Sequence, residues 1–65
     1  MALKERMLNY RAKNRISQYK LASLLGTSQT NVWRIENEKV KLRKNNLLYF
    51  EQKMDELEGE ENVNV

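Results

Sequence analysis

Sixty-five residues hold one small domain, 32% of them charged and with a formal net charge of +3. Such a chain buries only about 60% of its unfolded surface, and a core this size rarely supplies more than roughly 3 to 5 kcal/mol without a staple or a partner. With no cysteine a disulfide is excluded, and with no histidine a zinc site would need carboxylates alone, so no metal or cofactor is expected and self-association is the remaining staple. The missing cysteine is neutral about redox compartment. The apolar runs are a few residues long, too short for a membrane span or a secretory signal, and the cytoplasm is the expected location. The distribution of charge says more than its total. Residues 1–53 carry all twelve Lys and Arg against four Glu, a net +8, while residues 54–65 carry five acids and no base, a net −5. A basic body suits an anionic partner, because Lys and Arg neutralising phosphates supply most sequence-independent nucleic-acid affinity.

In chain order, the first helix is expected from about Leu3 to Lys13, with Leu3, Met7 and Tyr10 or Arg11 on one face and its end at Asn14 and Arg15. Ser17 is placed to cap a second helix, and Ile16 before it to close over the apolar face. That helix carries Leu21, Ala22 and Leu25 at the spacing of one face and ends at Leu25, where Gly26 supplies a left-handed stop. Ser28 is the better cap for a third helix, Gln29 to about Asn37. Glu38 to Leu42 form a connector, and a long fourth helix runs from Arg43 or Asn45 to Glu58, striped by Leu47, Phe50, Met54 and Leu57. Gly59 is read as its stop, which divides the chain into a domain at 1–58 and an acidic flexible tail at 59–65. Tyr10, Tyr19 and Tyr49 read as half-buried aromatics with the hydroxyl in water. The fold class is all-α, and helices two and three with their tight turn form a helix-turn-helix.

The third helix separates into two faces at roughly 100° per residue. Val32 and Ile35 define a buried side, and Gln29, Thr30, Trp33, Arg34 and Asn37 share the opposite arc. A glutamine can pair bidentately with adenine and an arginine with guanine, and a threonine methyl can meet a thymine methyl. The plainer alternative is a solvated helix face. Trp33 is open to three readings: contact with DNA, packing on the connector, or contact with another protein.

Residues 11–39 read R-x-K-x-x-I-S-Q-x-x-L-A-x-x-x-G-T-S-Q-x-x-V-x-R-I-E-N-x-K, which resembles the phage repressor and Cro family of helix-turn-helix proteins. The resemblance implies a transcriptional regulator of phage or mobile-element type that binds double-stranded DNA with the third helix in the major groove. It implies base contacts from Gln29, Thr30 and Arg34, to which the exposed arc adds Trp33. Phosphate contacts are expected from Gln18, Ser28 and Asn37, extended by a basic rim of Lys39, Lys41, Arg43 and Lys44. Arg11 and Glu36 are expected to form a structural ion pair between helices one and three, since Glu36 lies beside the buried stripe. No catalytic role is expected for Glu36 or any other residue, because no nucleophile, base or second acid accompanies it.

Two departures from the family pattern stand out. Glu38 occupies the place where relatives commonly carry glycine, and the fourth helix is longer while a fifth is lacking. Its stripe is therefore expected either to complete the core or to form a self-complementary seam. A homodimer is expected at least on DNA, since one short helix reads only a few base pairs and paired half-sites lie roughly 34 Å apart. Polymerase is the possible protein partner of such a regulator, and the same fold also suits a recombination directionality factor or excisionase, whose partner would be a recombinase. A third possibility is an antitoxin-like module in which the long fourth helix and acidic end bind another protein.

Overall fold

In the computed structural model the described residues are 2–63, with side chains described through residue 60. Four helices follow one another: α1 at Leu3–Asn14, α2 at Gln18–Leu25, α3 at Gln29–Glu36 and α4 at Lys44–Val63. No strand occurs among the described residues. The molecule is all-α and its fourth helix is the longest.

The apolar stripes meet in one core. Leu3 and Met7 of α1, Leu21, Ala22 and Leu25 of α2, Val32 and Ile35 of α3, and Phe50, Met54 and Leu57 of α4 are all buried, with Tyr10, Ile16, Leu42 and Leu47 packed around them. The stripe of α4 thus completes the core, packing on α1 and α2, rather than standing free as a seam. Each buried Val, Leu, Ile, Met or Phe side chain removed from water contributes roughly 1.5–3 kcal/mol before the entropy of ordering is subtracted.

Serines start two of the helices. The Ser17 hydroxyl accepts from the Lys20 N–H at 3.0 Å, and the Ser28 hydroxyl accepts from the Asn31 N–H at 3.2 Å. The first three helices end alike, each by two backbone bonds that wrap the last turn around one left-handed residue. Ile16 N–H reaches Arg11 O around Arg15 (φ 54°), Thr27 N–H reaches Ala22 O around Gly26 (φ 71°), and Lys39 N–H reaches Arg34 O around Glu38 (φ 56°). Only the middle closure uses glycine. There a Cβ would come within 3.0 Å of the Tyr49 hydroxyl. That hydroxyl donates to Leu25 O at 2.9 Å, so Tyr49 ties α4 to the turn instead of simply meeting water.

α1 ends at Asn14 and α3 at Glu36, each within one residue of the sequence reading, but α4 runs past the expected stop, through Gly59 to Val63. A glycine ends a helix when the chain beyond it folds back to close the last turn. Here the chain continues straight, with nothing within 4 Å of the position a Cβ would take, and the cost of about 1 kcal/mol for a helical glycine does not stop it. The segment assigned to a flexible tail is therefore helical at 59–63, and residues 64 and 65 lie outside the described residues. Nor is the acidic end simply solvated. Arg6 of α1 donates from Nη2 to Asp55 Oδ1 at 2.5 Å and to Glu58 Oε1 at 2.6 Å, which clamps α1 against α4 and raises the Arg6 pKa above its ordinary value, the Glu58 hydrogen bond contributing most.

Candidate nucleic-acid interface

The core holds α3 from one side only. Val32 and Ile35 are buried while Gln29, Thr30, Trp33, Arg34 and Asn37 are exposed, so one face of a two-turn rod presents two amides, a hydroxyl, an indole and a guanidinium to solvent. The rod is fixed at both ends, by the Ser28 cap and by the closure around Glu38, which limits how far this face can tilt. Asn31 reinforces the entry turn by donating from Nδ2 to Thr27 Oγ1 at 2.9 Å.

Glu36, at the C-terminal end of α3, is buried and anchors the site from behind. Arg11 grips it with two parallel bonds, Nε to Oε2 and Nη2 to Oε1, both at 2.8 Å. Gln18 adds a third, from Nε2 to Oε1 at 2.9 Å. Burial alone pushes the Glu36 carboxyl up, but the hydrogen bonds from Arg11 and Gln18 and the charge of Arg11 outweigh it and hold the group below the usual carboxylate range. The same pair raises the Arg11 pKa, its hydrogen bond to Glu36 outweighing the lowering effect of burial. One carboxylate thus joins α1, α2 and α3.

The three residues expected at phosphates have engagements of their own. One amide N–H of Gln18 goes to Glu36, the Ser28 hydroxyl accepts from the helix it caps, and Asn37 donates from Nδ2 to Trp33 O at 2.9 Å. Each keeps a further donor: the second amide N–H of Gln18 and of Asn37, and the hydroxyl hydrogen of Ser28. Lys39, Lys41, Arg43 and Lys44 are exposed along the connector and the start of α4, and none forms an ion pair among the described residues. Glu38 interrupts this rim and meets Lys4 at 3.5 Å.

Trp33 is 45% exposed and lines a notch with Gln18, Gln29 and Thr30, while the grooves along the connector are lined by other residues. A second hollow, between α2 and the start of α3, is lined by Tyr19, Ala22, Ser23, Thr27, Ser28 and Gln29. Tyr19 is 72% exposed there, not half-buried, because its position on α2 faces away from Leu21 and Leu25. Ser23 lines the same hollow and was not singled out from the sequence, where its only signal was its place on the open side of α2. No group of His, Cys, Asp and Glu among the described residues could hold a metal ion, and no helix is long and apolar enough to cross a membrane. No family model matches the chain, and neither does any curated protein or solved structure.

Proposed function

We propose that this chain is a sequence-specific double-stranded DNA-binding regulator of the phage repressor and Cro type, acting in the cytoplasm by occupying an operator. The observation that carries the reading is the composition of one helix face: Gln29, Thr30, Trp33 and Arg34 exposed together on α3, with Val32 and Ile35 buried behind them. An α-helix fits the major groove, where every base pair shows a distinct pattern of donors, acceptors and methyl groups. Gln29, Thr30, Trp33 and Arg34 read base edges. Gln18, Ser28, Asn37 and the rim at Lys39, Lys41, Arg43 and Lys44 position the helix on phosphates. Two copies on adjacent half-sites supply the length of sequence that one short helix cannot read.

Selection from a pool of random duplexes tests this directly, with enrichment of a short motif as the expected outcome and recovery of unbiased sequence as the refutation. On the selected duplex, Arg34→Ala is expected to relax one base position at a cost of roughly 1–3 kcal/mol, while Lys41→Ala weakens all sequences alike. Equal, sequence-independent losses from both would contradict the division into reading and positioning residues.

A further inference from the structure

The exposed face of α3 is not flat. Gln29, Thr30 and Trp33 of α3 and Gln18 at the start of α2 enclose a notch of about 220 Å³ that opens to solvent. We propose that this notch receives the 5-methyl group of a thymine, which makes Trp33 the specificity-determining residue for one T·A pair. The proposal rests on the DNA-reading function above and names a chemical group that function does not require.

The walls argue for an apolar guest. Thymine is the one base of the four that places an apolar group on its major-groove edge. Trp33 leaves 45% of its surface in water although its helix already has a buried side, and Thr30, whose side chain carries a methyl group, lines the same notch. An indole face and a methyl group offer little to a phosphate and much to a methyl that must leave water. Gln29 lines the same notch, and its amide can pair with the adenine of an A·T pair while the methyl is seated.

One lining residue is fixed from behind. Gln18 donates from Nε2 to Glu36 at 2.9 Å, and Glu36 is held by both prongs of Arg11. A lining side chain tied to a buried ion pair is in place before DNA arrives, a condition that favours discrimination of a single methyl group. The volume of the notch admits the methyl together with the pyrimidine edge that bears it.

The test uses the whole chain and the duplex obtained by selection, with each thymine replaced in turn by deoxyuridine, which pairs identically and lacks the methyl. Affinity is read by fluorescence anisotropy at fixed salt. One replacement per half-site is expected to weaken the wild-type protein about fourfold, the effect of leaving one methyl unburied. In Trp33→Ala the same replacement is expected to be without effect, and in Trp33→Phe to keep part of it, so the two changes share one energy rather than adding. Should Trp33→Ala bind too weakly for comparison, Trp33→Phe completes the cycle. Uniform indifference to deoxyuridine, or an undiminished loss in both Trp33 variants, overturns the notch and leaves DNA reading intact. Absence of any sequence preference in the selection overturns both.

Discussion

At the scale of single residues, Glu36 is the position where a small chemical change has the largest consequence. Its side chain is 3% exposed and that of its partner Arg11 is 23% exposed, so the two ends of the pair are not equivalent. Removing Arg11 leaves a buried carboxylate without a counter-charge and with Gln18 as its remaining donor among the described residues, whereas removing the charge of Glu36 leaves a guanidinium that can turn outward. Arg11→Met is therefore expected to cost on the order of 3 kcal/mol and Glu36→Gln less, measured by thermal unfolding followed by circular dichroism. Because the folded state holds the Glu36 carboxyl below its ordinary value of 4.5, the pair stabilises the protein fully above that value. The stabilisation is lost as pH falls below about 4.5 through the folded pKa. The melting temperature should fall over that acid range, and Glu36→Gln should flatten the fall. Glu38 is the second sensitive residue, held at φ 56° without the conformational freedom of glycine. Its contact with Lys4 is worth little, since its side chain is 75% exposed. Glu38→Gly is expected to stabilise the fold by about 0.5–1 kcal/mol, a rise of several degrees in melting temperature; a lower melting temperature would show that the left-handed turn is not strained.

At the scale of elements, what was readable in the sequence depended on whether the deciding interaction was local. Ser17 and Ser28 cap the helices that begin one residue later, and Gly26 ends α2, because each acts within four or five residues of itself. Arg15 and Glu38 perform the same service as Gly26 with side chains that disfavour it, so composition alone pointed to neither. There the buried stripes decide: Ile16 packs on the core just beyond the first turn, Ile35 just before the last, and the chain must reverse between elements whatever residue is present. Gly59 illustrates the converse. It has the residue type of a stop, but no core waits beyond it to draw the chain back, and α4 continues. Gly59→Ala is accordingly expected to stabilise the protein by about 0.8 kcal/mol and to raise its helical circular dichroism. If glycine terminated the helix in a left-handed conformation, alanine would lower both.

At the scale of the whole molecule, the separation of charge is less complete than the composition states. Asp55 and Glu58 are tied to Arg6 across 49 and 52 positions of chain, so part of the acidic end fastens the fold instead of projecting a negative field. The basic rim at 39–44 faces no such internal partner among the described residues. For about six neutralised phosphates, log K against log salt is expected to fall with a slope near −5, and Lys41→Ala should make it shallower by about 1. A slope near zero in a salt titration would remove phosphate contact from the account.

By itself the sequence determined the helical periodicities, the two serine caps, the glycine turn and which side of α3 is apolar, since each follows from spacing and local hydrogen-bonding chemistry. Only the tertiary structure decided that the α4 stripe closes the core, that Arg6 reaches Asp55 and Glu58, and that Gln18 joins Arg11 on one buried carboxylate. Those contacts bring together residues far apart along the chain, and no local pattern records which distant side chain will be in reach once the core has formed.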